Sequence, residues 1–562
     1  MSSVTHHLQP SLVPFDTRRQ PGCQLIFRDR TLELHDEAVL RRFSWTVDTE
    51  GSRCELAGKT FYGERYGGSG IGVHGGGARC GFDGERYQLK GIGPNPLLGV
   101  IGEDDVGQSD GELTLSAALY EMIWSRILDT VLPFGANRCL AILAVPAHST
   151  FSRALLLREG YLRPAHFERA AYFRGGAQGG RHEQAADVRR TVQMCRQLPD
   201  ILADTFHLCG DTEHCLAEGL AEFARRQAAQ IACATSRFLY HSISSSNFSL
   251  DGKWHDFTSL SPLDPRHLPV DFGMDSAWAT LWGQFALVAD VLGSWIFHYA
   301  KYTHLSQSTM QALTRDVLTE FEQTLHQQYA FNLLCVMGIP RLIAQSIYSE
   351  TAVQTWATSL LAILPSLPFW MQPPAAALPL AAISFSRAAT APTQAGFFQQ
   401  TRVATWLSQR ETVRRRAIVV AQEHGIAAQD LALAVDINAA KFLCPRQAVS
   451  WRAMIDSLDG ILVDADLALN EKVDILLPWC EARVAHWRFH LTADAGMQTI
   501  CWQGNNTVVI FDMQAGSFKV STGGRSRQVA PQDLHAFMAT CEAGRAFRDY
   551  CQQVQLCLFP EG

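Results

Sequence analysis

The hydrophobic period of this chain changes along its length, and that change constrains the fold more than any single motif. Up to about residue 150, short apolar runs such as RYQLKG and CLAILAV are separated by glycine-rich turns, which predicts strands. From about 185 to 240, DVRRTVQMCRQLPDILADTF and EGLAEFARRQAAQIACATSRFLYH place apolar residues three and four apart, the spacing of long helices with one buried face. Helical spacing continues from 275 to 365, for example in SAWATLWGQFALVADVLGSWIFHYAKY. The expectation is an α+β chain with a sheet-containing lobe over 1–150 and a helical lobe over 151–370. A proline-rich linker over 371–396 then leads into an extension over 397–562, expected to be a separate α+β unit. In that extension TRVATWLSQRETVRRRAIVVAQEHG is helical, and QTICWQGNNTVVIFDMQAGSFKVSTGG alternates like antiparallel strands around an Asn505-Asn506 turn. No internal repeat is found.

Composition narrows the function classes. The chain has 562 residues, enough for two to four domains, and its 47% hydrophobic and 18% charged content is that of a globular protein. Its 48 basic against 55 acidic residues give a net charge of -7, which offers no general attraction to nucleic acid or anionic membranes. The fifteen cysteines are odd in number and form no C-x-x-C pair, so they are expected to be buried thiols of a cytoplasmic protein. MSSVTHHLQP has no basic region followed by an apolar run, so no secretory signal is expected. Thr351 to Ser386 is uncharged, but Pro365, Pro368, Pro373, Pro374 and Pro379 would break a spanning helix, and no transmembrane segment is expected.

Three stretches could carry chemistry. Tyr66 to Arg79 reads YGGSGIGVHGGGAR, in which seven of fourteen residues are glycine. Gly68, Gly70 and Gly72 would let backbone N–H groups approach an anion closely, and the run equally fits a flexible loop. In YQLKGIGPNP a short strand delivers Lys90 just before a glycine turn, where an ammonium can meet phosphate oxygens or lie solvated at a strand end. Glu121 lies on the helical stretch Glu112 to Arg126, where a carboxylate could hold that lysine. Finally, His241 to Phe257 carries Asn247 and Asp256 with eight residues between them, an ordinary turn asparagine and loop aspartate or two oxygen ligands that suit magnesium or manganese. Glycine loop, strand lysine, helix glutamate, then asparagine and aspartate after helices is the order of parts in a protein-kinase fold.

On these residues the chain resembles the selenoprotein O family of pseudokinases. The family's glycine loop, approximately Y-S-G-H-Q-F-G-x-W-A-G, corresponds to YGGSGIGVHGG at Tyr66 to Gly76, and its L-K-G-A-G-x-T-P to LKGIGPNP at Leu89 to Pro96. Its D-G-R and R-E segments correspond to Asp110-Gly111-Glu112 and Tyr120-Glu121. The two phosphate-contacting arginines of its M-R-V-A-P-S-H-L-R stretch correspond to Arg158 and Arg163. Its N-T-D-N-M-S-L-L-G-L-T-L-D-Y-G aligns so that Asn247 and Asp256 match the metal ligands. The sequence departs from the family at Ser246, where the family has aspartate, at Glu112 for an arginine and at Thr258 for a glycine. The likeness covers about residues 66–300.

The resemblance implies a kinase-like bilobal fold and an ATP- and magnesium-dependent nucleotidyltransferase that adenylylates a hydroxyl on a protein or peptide. Lys90, Glu121, Asn247 and Asp256 would then be catalytic, and Gly68, Gly70, Gly72, Lys90, Asp110, Gly111, Arg158 and Arg163 would bind the nucleotide. A kinase or tailoring enzyme acting on a peptide or natural product, and a nucleotide-binding scaffold, are the alternatives. His241 and His255 are expected to be structural, Arg414 to Arg416 a solvated helix face, and the tail tryptophans core.

Overall fold

The structure is a computed structural model, and it describes residues 5–47, 58–68, 77–98, 110–146, 153–170, 180–241, 243–264, 281–363, 384–386, 400–446, 450–504 and 506–558. Eight strands form one antiparallel sheet: β1 (Leu12–Arg19), β2 (Gln24–Arg28), β3 (Trp45–Val47), β4 (Lys59–Glu64), β5 (Cys80–Phe82), β6 (Tyr87–Lys90), β7 (Ala141–Val145) and β8 (Arg153–Glu159). Their order is β2-β7-β8-β6-β5-β4-β1-β3, which leaves the three-residue β3 at one edge and β2 at the other. Helices α1 (Asp36–Phe43) and α2 (Leu115–Val131) cover opposite faces. Beside α1, Val39 and Phe43 pack on Phe15, Phe61, Leu89, Leu143 and Leu157. Beside α2, Leu119 and Ile123 belong to the cluster that contains Ile142, Ala154 and Leu156. Strands buried on both faces read as unbroken apolar runs, which is why AILAV and ALLL show no alternation. Because β8 pairs with both β6 and β7, the sheet runs on to Glu159, past the expected boundary at 150.

The helical part contains α3 (Gly180–Arg196), α4 (Leu198–Phe206), α5 (Thr212–Ser236), α6 (Gln284–Thr303), α7 (Gln307–Val336), α8 (Arg341–Ile347) and α9 (Thr351–Ile363). Asp211 starts α5 by accepting the His214 N–H at 2.8 Å. A short hairpin of β9 (Leu239–Tyr240) and β10 (Ser261–Pro262) brackets the Asn247 to Asp256 segment. The structure is therefore α+β, a mostly antiparallel sheet with a helical region. Among the described residues no helix is long and apolar enough to cross a membrane.

The tail comprises α10 (Gln400–Glu423), α11 (Ala428–Phe442), α12 (Trp451–Leu462) and α13 (Leu469–Leu491). The meander β11 (Gln498–Gly504), β12 (Thr507–Asp512), β13 (Ser517–Thr522) and β14 (Arg525–Val529) follows, then α14 (Leu534–Ala539) and α15 (Gly544–Gln553). Asn506 turns the first hairpin with φ of 56°, while Asn505 lies outside the described residues. Contrary to expectation the tail shares its core with the helical part: one hydrophobic cluster runs from Leu8 to Leu556. Polar contacts reinforce the join. Arg126 of α2 pairs with Glu481 of α13, Arg488 donates to the Arg126 carbonyl at 2.7 Å, and Arg237 donates to the Leu491 carbonyl at 2.7 Å. Of the expected linker only Ser384–Ser386 is described, with Phe385 buried against Trp356. Arg414 and Arg415 are exposed as expected, and Trp487 and Trp502 are core, whereas Trp451 is exposed.

Candidate functional site

The site begins on β6, whose side chains alternate between the two faces of the sheet. Tyr87 and Leu89 enter the core beside α1, so Gln88 and Lys90 project towards α2. On α2 the nearest acid is Glu121. Lys90 Nζ donates to Glu121 Oε2 at 2.6 Å and also to Asp256 Oδ1, so one ammonium joins strand, helix and the segment after α5. Arg158 Nη1 binds the other Glu121 oxygen at 3.2 Å. Depth divides the cluster: the Lys90, Glu121 and Arg158 side chains are 1%, 4% and 2% exposed, while Asp256 is 27% exposed and forms the rim.

Gln88 organises the layer beneath. It stands opposite Arg158 in the β6–β8 register, and its Oε1 accepts from Arg158 Nε at 2.7 Å and from Arg163 Nη2 at 3.5 Å. Its amide N–H donates to Glu64, whose other oxygen faces His166 at 3.5 Å. Arg163 also donates to Tyr66 Oη and Tyr161 Oη, each at 3.0 Å, and to the Ser246 carbonyl at 2.9 Å. Both phenol rings flank its guanidinium at 4.6 Å. Arg158 and Arg163 thus bond protein groups from within the fold, and Arg163 fixes the backbone next to Asn247.

The Asn247 turn is closed by Asn247 N donating to the Ser244 carbonyl at 2.9 Å and His255 N to the Asn247 carbonyl at 3.0 Å. Ser246 Oγ donates to the Asn247 side-chain oxygen at 3.2 Å and lies 2.8 Å from Ser244 Oγ. Asp256 adopts a left-handed backbone with φ of 64°, a conformation a non-glycine residue holds only where its surroundings enforce it. Thr258 Oγ1 lies 3.4 Å from the Asp256 carboxylate.

Electrostatics follow from this layering. Burial works against ionisation of Asp256, but Lys90, Arg79 and Arg158 outweigh it and hold the carboxyl well below the usual range. Burial likewise keeps the His255 imidazole neutral, with Arg163 and Arg158 adding to the effect. His241 is pushed down to about 4 by burial, against the pull of Asp256. Its Nε2 lies 3.0 Å from the His255 carbonyl.

Among the other expected residues, Gly68 has φ of 108°, and a Cβ there would lie 2.0 Å from Ser245 Oγ, so the start of the glycine run packs directly on the Asn247 turn. Gly70 and Gly72 lie outside the described residues. Gly111, with φ of 65°, accepts from the Gly93 N–H at 3.1 Å, which sets Asp110-Gly111 against the loop that leaves Lys90. Asp110 accepts the Glu112 N–H at 2.9 Å. The Glu112 carboxylate pairs with Arg153 at 2.7 Å, so its charge is matched locally.

Gln88, Glu64, Tyr66, Tyr161 and Arg79 were not singled out by sequence reasoning. Gln88 lies two residues before Lys90 on a strand and so shares its face, and Tyr66 and Tyr161 lie within the stretches that carry the resemblance. Compared with known proteins, the chain matches no family model and shows no significant similarity to any curated sequence. The resemblance to selenoprotein O rests on the motif residues.

Proposed function

We propose that the chain is an ATP- and magnesium-dependent transferase resembling selenoprotein O, one that adenylylates a hydroxyl on a protein or peptide. The observation that carries this reading is Lys90 held between Glu121 and Asp256. A strand lysine paired with a helix glutamate, beside a metal-binding aspartate, is the arrangement on which kinase-type nucleotide chemistry depends. The donor chemistry fits the metal: an ionised carboxylate at the rim and the amide oxygen of Asn247 are hard oxygen ligands. Magnesium, when bound, supplies neutralisation of phosphate charge.

The chain's own residues do the rest. Glu121 keeps the Lys90 ammonium aimed at the rim, and release of Lys90 from Asp256 frees both for an incoming polyphosphate and its cation. Arg158 and Arg163 stay one layer deeper, bracing Glu121, Gln88 and the Asn247 turn, and their charge acts through a medium of low dielectric. Ser246 stands where the family has an acid, so acceptor activation relies on positioning and on charge rather than on a strong base.

The test is incubation with magnesium and ATP labelled at either the α- or the γ-phosphate, followed by mass spectrometry of protein and peptide acceptors. Gain of AMP, lost in Asp256→Asn and Asn247→Ala, is the expected result. Gain of phosphate would make the chain a kinase, and absence of nucleotide binding by calorimetry would overturn both.

A further inference from the structure

The N-terminal turn carries a second constellation, far from the Lys90 cluster in sequence. Thr5–Ser11 forms a 3-10 turn anchored by the fully buried Leu8, and it leads directly into β1. The rings of its neighbours His6 and His7 lie with centroids 3.8 Å apart, tilted by 37°. Both turn to one residue of the helical part: His7 Nε2 lies 2.8 Å and His6 Nε2 3.8 Å from the same Oδ2 of Asp204, near the end of α4. One ligand atom from each of the three lies within 4.8 Å of the others.

A hydrogen bond from His7 would satisfy that carboxylate oxygen. The arrival of a second imidazole nitrogen at the same point, from the adjacent residue, is what a three-ligand cradle requires. The spacing can be checked against coordination geometry: bonds of about 2.0–2.1 Å to zinc at tetrahedral angles place neighbouring ligand atoms about 3.3 Å apart. The separations of 2.8 and 3.8 Å bracket that edge length. Two imidazoles and a carboxylate are the donors of borderline divalent ions, not of magnesium or calcium. The His6 and Asp204 side chains are 62% and 46% exposed, so an ion can reach the three groups from solvent.

We infer that His6, His7 and Asp204 form a binding site for a zinc-class divalent cation, and that the bound ion ties the entry to β1 onto α4. The ion closes a loop of almost two hundred residues, so it stabilises the junction of sheet and helices by an amount that grows with the logarithm of free ion over its dissociation constant.

Calorimetric titration of the full chain with zinc tests the inference, with Cys209→Ser as the control because Cys209 is exposed and lies five residues from Asp204. One equivalent should bind, Tm should rise with zinc, and His7→Ala and Asp204→Asn should each weaken binding at least tenfold while Cys209→Ser leaves it unchanged. Unchanged affinity in both His7→Ala and Asp204→Asn, loss of binding in Cys209→Ser, or no binding at a tenfold excess of zinc would overturn it. Should the variants misfold by circular dichroism, modification of the wild-type histidines by diethylpyrocarbonate decides. Zinc should protect His6 and His7, and unprotected rings refute the site.

Discussion

Replacing Glu121 by glutamine tests the buried core of the candidate site directly. The Glu121 carboxylate is 4% exposed and serves two cations, Lys90 at 2.6 Å and Arg158 at 3.2 Å. A glutamine keeps the shape but offers one oxygen, so one cation meets an N–H instead of an acceptor. Breaking a buried ion pair from one side costs about 3–5 kcal/mol. Lys90 retains Asp256 and Arg158 retains Gln88, which places the expected loss at the lower end, about 3 kcal/mol. With about 2.1 cal/mol/K of unfolding entropy per residue, and α2 in a core that runs from Leu8 to Leu556, the transition should fall by roughly 2–3 °C. Asp256→Asn makes the comparison from the rim of the same cluster, where Lys90 keeps Glu121 as its partner. Scanning calorimetry of the two variants, of Lys90→Met and of the two doubles gives the coupling energies, expected above about 1.5 kcal/mol for Lys90 with Glu121. A Glu121→Gln shift within 1 °C of wild type would refute the buried-anchor account.

Further predictions follow from the same geometry. Ser246→Asp restores the acid of the resembled family beside Asn247 and should raise the AMP-transfer rate at least tenfold, since a positioned base contributes about 10²–10⁴-fold; an unchanged rate in a folded variant counts against adenylylation at this site. Gly68→Ala forces a Cβ to within 2.0 Å of Ser245 Oγ at a φ of 108°, so magnesium-ATP affinity should drop about tenfold by calorimetry, and wild-type affinity would detach the glycine run from the nucleotide. Burial holds His241 neutral down to about 4, against about 6.5 in the unfolded chain, so its stabilisation is complete above about pH 6.5 and is lost as pH falls towards 4. At pH 5 the loss amounts to about 2 kcal/mol, and His241→Gln should show a correspondingly smaller fall in Tm between pH 7 and 5; an identical fall would remove His241 as its source.

The sequence was most informative where local pattern and chemistry coincide. Lys90 could be placed because a strand and a glycine turn frame it, and Glu121 because it lies on a long apolar helical run. Their 2.6 Å contact joins residues 31 apart and was expected only from the order of the motifs. Gln88 escaped notice because an amide on a strand has no chemical signature until the β6–β8 register sets it against Arg158. Arg158 and Arg163 were found, but charge alone gives no depth. They are enclosed by Tyr161, which lies between them in sequence, and by Tyr66 and Glu64, which come from distant strands and loops. The tail was expected to stand apart because helical period reveals that a face is apolar, not which surface covers it. Its partner is α2 and the helical part.

That last contact has a mechanical consequence. In proteins where a glutamate-bearing helix swings, the swing itself is the switch, and the lysine waits for its partner. Here α2 is wedged: sheet on one side, α12 and α13 on the other, with Arg126 pinned through both its side chain and its carbonyl. A helix wedged in this way has no room to rotate Glu121 away from Lys90. The Lys90–Glu121 pair is therefore tied to the tail: it can be parted by a helix movement only where the contacts of α2 with α12 and α13 also give way.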